Sequence, residues 1–353
     1  MGLTETNNIK EDYRKFIWIK LIFILSCIFL IIIISGISVS MGSYPISVLE
    51  VFLTIISNIA SCGHSGHTRE IVVWTLRLPR IAMGILAGMG LRIAGTAMQG
   101  VLRNPLASPT TMGISSAAGL GASLAIIAGV GIGEGKFLLI GNAFIFAMMP
   151  AMVIYFLSQF KKSTPEMMIL VGIGMLYIFG SINSLLQYFA AEDALKNMVL
   201  WLMGDLGRAK WCDISAAFTV LAVCIPLLVW KSWDLNVMGV GDDTAKSLGI
   251  NVDKNRIFIM MLSSLVTATI ICFTGMIGFI GLVSPHICRI IIGGDNRYLT
   301  PASGFFGAAF LLLADLIART IIAPVIIPVG IITACFGGPL FLYLTIKRKK
   351  EYW

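Results

Sequence analysis

Charge is scarce in this chain. Of its 353 residues only 12% are Asp, Glu, Lys or Arg, against about 25% in a soluble domain. There is too little polar surface to face water on every side. Histidine is scarcer still, with three copies, and the seven cysteines are odd in number and never spaced as CxxC. That excludes a disulfide framework or a cysteine cluster. Most of Cys27, Cys62, Cys212, Cys224, Cys272, Cys288 and Cys335 sit in apolar runs, where a thiol is a small apolar filler. Strict polar–apolar alternation is missing too, which excludes a membrane β-barrel. A phosphate-binding loop is also missing. "VGDDTAKS" (Val240 to Ser247) approaches the pattern, but Val240 and Ala245 stand where glycines would bare the backbone amides. Any uphill work is therefore driven by another chain or by an ion gradient.

What is present is apolar length. Hydrophobic residues make up 57% of the chain, in runs of about twenty, the length that crosses a hydrocarbon core. Ten spans are expected, at about 16–38, 78–101, 112–132, 137–158, 167–190, 212–231, 257–280, 283–293, 302–322 and 326–346. The eighth is too short to cross alone. It leans on "TGMIGFIGLVSP" (Thr274 to Pro285), an irregular segment whose backbone groups need protein or water as partners. Glu5, Glu11 and Asp12 precede the first span, which is too long for a signal h-region, so it reads as a retained helix.

The formal charge is +8. In a soluble protein that would suggest nucleic acid. Here the basic residues gather at span ends, where membrane topology places them, so lipid is the partner and nucleic acid is not. With ten spans both termini share one side. Placing them inside puts seventeen of the 26 Lys and Arg on inner segments and eight on outer ones, with Arg92 alone in mid-span. The termini are expected in the cytoplasm of a multi-pass cell-membrane protein. The chain divides into an N-terminal tail (1–15), one membrane domain (16–346) and a basic C-terminal tail (347–353).

Several residues stand out from this background. "TLRLPRIAMG" sets Arg77 and Arg80 on the outer side, against the charge bias. Asp315 and Arg319 are four apart and share a helix face. Ionisable groups in a span face the bundle interior or pair together, and the sequence leaves Arg92 free to pair with Asp315 or with a carbonyl. His286, after Pro285, reads as a capping and hydrogen-bonding residue at a helix start, with a role toward substrate as the alternative. Cys62, His64 and His67 form a weak external metal pattern with no fourth ligand nearby, and no metal site is assigned. In "VLRNPLASPTTMG", Pro105 and Pro109 end the second span and Asn104 folds onto freed backbone groups. In "KKSTPEM", Thr164 is an N-cap with Pro165 at N1. On spacing alone both are ordinary turns. The inner connection, about 232–256, is polar with a short helical pattern from Asp242 to Leu248. The runs "GILAGMGLRIAGTAMQG" and "GAAFLLLADLIAR" carry small residues every three or four positions, which lets helices approach closely.

"RLPRIAMGILAGMGLRIAGTAMQGVLRNPLASPTTMGISSAAGLGA" resembles the signature of the FecCD family, the permease subunits of type II ABC importers. "LWLMGDLGRAKW", "AKSLGI", "GMIGFIGLVSPHICRIIIGGDNR" and "LLLADLIARTIIAPVIIPVGIITACFGGPLFLYL" resemble later blocks of that family, in the same order, so that about residues 16–346 are covered. The resemblance implies an all-α polytopic fold with about ten transmembrane helices, the type II importer permease fold. It implies a second permease subunit, a homodimer being the simplest case, and two cytoplasmic ABC ATPase subunits. An extracytoplasmic binding protein would dock outside. This chain would bind no cofactor of its own, ATP and Mg being held by the partner ATPase.

Residue by residue, the resemblance implies that Arg77, Arg80 and Arg319 meet acidic residues of the binding protein. Asp242, Ala245, Leu248 and Gly249, within a segment at about 238–252, would contact the ATPase. Asn104, Pro105 and Leu106, with Ser163, Thr164 and Pro165, would form the cytoplasmic gate. Gly172, Gly174, Gly180, Ser181 and Ser184 on the fifth span would line the path. Two departures stand out. Ile326 occupies a position where many relatives carry glutamate, and Arg92 replaces a small or apolar residue. The expected function is import of a metal chelate, an iron-siderophore first, with haem or cobalamin as alternatives, and with no catalytic residue in this chain. The competing reading is a secondary transporter driven by an ion gradient, which needs broken helices and charge partners in mid-membrane.

Overall fold

The computed structural model describes residues 2–42, 44, 46–47, 49–51, 53–54, 56, 68–131, 133–160 and 163–347. Among them all regular structure is helical. Helix α1 spans Gly2–Ser40. Helix α2 (Leu78–Leu102) is entered through a short turn at Thr68–Glu70 and a π-helical stretch at Ile71–Arg77. Then come α3 (Ile114–Ala128), α4 (Lys136–Phe160), α5 (Pro165–Phe189), α6 (Glu192–Leu202), α7 (Trp211–Trp230), α8 (Ser232–Val240), α9 (Asp242–Ser247), α10 (Val252–Thr274), α11 (Ile280–Ile292), α12 (Asn296–Thr320) and α13 (Val329–Lys347).

Each of the ten expected spans coincides with a helix. Seven are long and apolar enough to cross a membrane unaided: Phe16–Ser40, Thr68–Leu102, Lys136–Phe160, Pro165–Phe189, Trp211–Val240, Val252–Thr274 and Asn296–Thr320. α3, α11 and the apolar part of α13 are shorter. The expected seventh span overruns α10, which stops at Thr274 because Gly275 turns the chain at φ 73°. The irregular backbone that follows is satisfied by protein. Asp205 N donates to Thr274 O (2.8 Å) and Thr333 Oγ1 donates to Gly278 O (3.1 Å), as a broken helix inside a bundle requires.

α2 is the central post, buried along most of its length. It packs against α12, α10, α7 and α11. Its closest approach is to α12, through the two small-residue runs noted above. A Cβ on Gly88 would fall 2.6 Å from Ala308 Cα, and one on Gly307 would fall 2.7 Å from Gly88 O. In lipid there is little hydrophobic drive between helices, so close van der Waals packing of this kind holds them together.

Four expectations need correcting. The connection after α7 holds the short helix expected from Asp242, but it is more helical than expected: α8 continues α7 almost without a break, because Leu235 and Met238, three apart, are buried, and Lys231 pairs with Asp234 at 2.7 Å. α6 is a helix the span count omitted, amphipathic with Met198 and Trp201 buried on one side. His286 lies inside α11, its ring 6.2 Å from that of Phe341, and does not cap it. Arg92 pairs with neither Asp315 nor a carbonyl. Its side chain lies over Gly307, with the guanidinium carbon 5.6 Å from the centre of the Phe310 ring.

Candidate functional sites at the two ends of the bundle

At about 1.5 Å of rise per residue, the 25-residue α2 sets its two ends roughly 37 Å apart. Arg80 stands at one end and Arg103 just past the other. α12 runs antiparallel to it, with Asp315 beside Arg80 and Asn296 beside Gly100.

At the first end, three arginines converge. Asp315 is buried and shared: Arg80 Nε donates to its Oδ1 (2.8 Å), and Arg319 Nε stands 3.1 Å from Oδ2. Arg80 also reaches Asp205 at 3.5 Å. Among the described residues Arg77 takes no carboxylate. It donates to the carbonyls of Val39, Ser40 and Tyr44, while Arg319 adds Ser38 and Met41. Those of Ser38, Val39 and Ser40 are orphan carbonyls in the last turn of α1, where a cation also complements the helix dipole, and those of Met41 and Tyr44 follow just after it. Arg77, Arg80 and Arg319 are thus buried and internally bonded rather than extended into solvent. They still line a cavity of about 380 Å³ with Tyr44, Leu76, Asp205 and Ile326. Arg208 lies close enough for Asp205 to support its charge, although burial pulls its pKa down. Within this cluster four arginines therefore face two carboxylates, a local excess of positive charge.

At the second end a short exposed helix, α9, sits between two turns. The first turn follows α2: Arg103 adopts a left-handed conformation (φ 47°), Asn104 Oδ1 accepts from Leu106 N (2.9 Å), and Gln99 donates to Pro105 O. The second turn opens α5, with Thr164 Oγ1 accepting from Met167 N (3.3 Å) and Pro165 at the first helical position. The side-chain roles read from sequence for Asn104 and Thr164 are the ones found. Asp242, the first residue of α9, joins these parts. Its carboxylate accepts from Arg103 and, at 3.0 and 3.1 Å, from Arg256 Nη2. Arg256 Nη1 donates to the carbonyl of Ser163, whose hydroxyl donates to Asp253 (2.8 Å). Burial alone would raise the Asp242 pKa; the hydrogen bond and charge of Arg256, with Arg103, outweigh it and hold the carboxyl below its usual range.

Of the four residues expected to meet an ATPase, Leu248 is 66% exposed and Gly249 is exposed in a left-handed turn, whereas Ala245 is 0% exposed. Ala245 is held in the apolar core beneath α9 and offers no surface. Asp242 turns toward its own chain. Val240, 75% exposed, supplies the apolar surface that Ala245 does not. On α5, Gly174, Ser181 and Ser184 lie on a face left open by the rest of the chain, while Gly172 packs on Met112 and Gly180 is partly covered. Cys62, His64 and His67 lie outside the described residues.

Sequence reasoning missed Arg103, Arg256 and Asp205. The first two had counted only as span-end charges. A nearby cluster was missed as well. Asp295 caps α12, accepts from Asn236 of α8 (2.7 Å) and Arg297, and lies 3.7 Å from Lys20 of α1. Burial opposes its ionisation, but Arg297 and Asn236 push its pKa down to about 2.

Comparison with known proteins places this arrangement. The model for the FecCD transport family matches residues 28–347. A protein of Methanocaldococcus jannaschii named as an ABC transporter permease is 42% identical over 98% of this chain and 99% of its own length. The hemin transport system permease protein of Yersinia pestis is 36% identical over 79% of this chain and 84% of its own. A solved inward-facing structure, described as that of a metal-chelate type ABC transporter, superposes with a TM-score of 0.81 at 30% identity. It covers 92% of this chain and 99% of that one.

Proposed function

The chain belongs to the FecCD transport family, and from that premise we propose that it is the membrane subunit through which an ABC importer passes a metal chelate into the cytoplasm. Its partners in this reading are a second copy of itself, two cytoplasmic ATPase subunits that bind ATP and Mg, and an external binding protein. Both termini and α9 then lie on the cytoplasmic side, as the charge bias supports.

The observation that carries the reading is the second end of the bundle. An exposed short helix flanked by the outward Val240 and Leu248 is bonded, through Asp242, to two proline-containing turns at the same end. This is the layout of a lever beside a gate. Leu248 and Gly249 form the contact with the ATPase; Asn104 to Leu106 and Ser163 to Pro165 form the gate. The open face of α5 with Gly174, Ser181 and Ser184 borders the path beside the partly covered Gly180, and Gly172 sets the spacing of α5 from Met112.

At the first end, Arg77, Arg80 and Arg319 attract acidic residues of the binding protein. Carbonyl partners leave the charge of Arg77 uncancelled, and the excess of arginine over carboxylate steers encounter and fixes orientation more than it adds affinity. The cavity they line is open to such a residue. The cargo is an iron-siderophore, haem or cobalamin, with the siderophore as the first choice. Selection rests with the binding protein, because the path residues named here are small and uncharged.

The test is uptake into vesicles holding the assembled transporter, with internal ATP clamped and an uncoupler added. Uptake that persists supports the reading. Uptake that stops at constant ATP supports an ion-gradient carrier instead. Parallel assays with a ferric siderophore, haem and cobalamin assign the cargo.

A further inference from the structure

We propose that Asp242 is the positioning residue that transmits movement of α9 to both cytoplasmic turns, acting through Arg103 and Arg256. The inference rests on the gate and coupling roles proposed above and adds the joint between them.

Arg256 is 1% exposed and Arg103 partly buried. Removing one partner from an ion pair with a buried member strands the other charge. Arg256 is held on two sides, by the Asp242 carboxylate of α9 and by the Ser163 carbonyl of the turn before α5. α9 therefore cannot shift away from α10 without either stranding a buried guanidinium or taking the Ser163 turn with it.

The same carboxylate holds Arg103, one residue before Asn104. That arginine is in a left-handed conformation at the end of α2, so its backbone is already committed to the turn that carries Pro105 and Leu106. One carboxylate thus ties one exposed surface helix to two turns from opposite halves of the first six helices. The remaining charged groups of α9, Asp243 and Lys246, are exposed and make no comparable link. Asp253 supports the joint from the other side by accepting from the Ser163 hydroxyl.

The experiment uses the full transporter, permease with its ATPase and binding protein, in inside-out vesicles. Leu106→Cys is introduced after Cys62, Cys212 and Cys335 are changed to Ser, and its rate of reaction with an impermeant maleimide is followed with and without ATP. In that background the rate should change with ATP by about fivefold or more, the lower end of coupling between sites. With Asp242→Asn added, the ATPase should still co-purify and hydrolyse ATP, while the labelling rate loses its response to ATP. A response retained within about twofold in Asp242→Asn would overturn the joint.

Should Asp242→Asn lose its ATPase, Arg103→Gln reads the same joint from outside α9, and the same two outcomes decide. Arg103→Lys, which keeps the charge, should restore part of the response; a residue that only props up the fold would leave the ATP response in place in every variant that assembles. If Leu106→Cys ignores ATP with Asp242 intact, the gate assignment itself fails and takes the joint with it, which separates that failure from failure of the joint alone.

Discussion

The two ends of the bundle use one device differently. At each, a single aspartate is shared by two arginines: Asp315 by Arg80 and Arg319, and Asp242 by Arg103 and Arg256. Asp315 is 1% exposed and joins α2 to its tightest neighbour, α12, which are already locked by Gly88 and Gly307. Asp242 is 32% exposed and joins a short surface helix to two turns. A carboxylate inside a packed helix pair fixes that pair. One at the edge, with its arginines rooted in different segments, ties a short surface helix to the turns beside it. The chemistry is the same, and burial and anchorage decide whether it acts as a rivet or a joint.

Mutations break that comparison in a definite order. Asp315→Ala removes the buried carboxylate shared by two guanidiniums and should cost about 3–5 kcal/mol, seen as a large loss of folded protein and of thermal stability in detergent. Gly88→Val forces a side chain into the backbone of Ala308 and should cost about 1–3 kcal/mol by overpacking. It should loosen the same helix pair without touching any charge. Thr164→Ala removes a cap and should cost about 1 kcal/mol. Asp242→Asn should cost about 1 kcal/mol or less, because the site is partly open and the amide keeps one acceptor. If Asp242→Asn proved as destabilising as Asp315→Ala, the distinction between the two ends would be lost.

Acidity sharpens the contrast at the second end. The Asp242 pKa is lowered in the folded chain, with Arg256 and then Arg103 overcoming the opposing effect of burial. A carboxyl whose folded pKa lies below its unfolded value, about 3.9, contributes stability in full above that value and loses it as pH falls through the folded one. The ATP response of a Leu106→Cys probe should therefore be flat between about pH 6 and 8. A marked fall across that window would show that another group carries the link.

Much of this was legible in the sequence, for local reasons. Apolar length marks spans, proline with threonine marks the start of α5, and asparagine before proline marks the turn after α2; each depends on residues within a few positions. The small-residue runs also pointed to a close helix contact, although only the fold shows that they contact each other. What escaped was long-range. Arg103 and Asp242 are 139 residues apart, and an arginine at a span end looks the same whether it anchors in lipid or holds a carboxylate. Arg92 misled for the converse reason. A charge in mid-span suggests Asp315 as its partner, but Arg80 and Arg319 already occupy that carboxylate. The ring of Phe310 and the floor of Gly307 are invisible to charge counting. Ala245 was read from its place in a motif, whereas burial is set by the side of α9 that lies on the core.

The most direct measurement is hydrogen exchange on the assembled transporter, with and without ATP, for the chain and for Asp242→Asn. The account predicts that ATP changes protection together at the segments around 100–107, 163–168 and 240–250 of the unmutated chain, while 78–84 and 312–320 stay unchanged. In Asp242→Asn the change should be confined to 240–250. Protection at 100–107 and 163–168 that still followed ATP in the variant would contradict it.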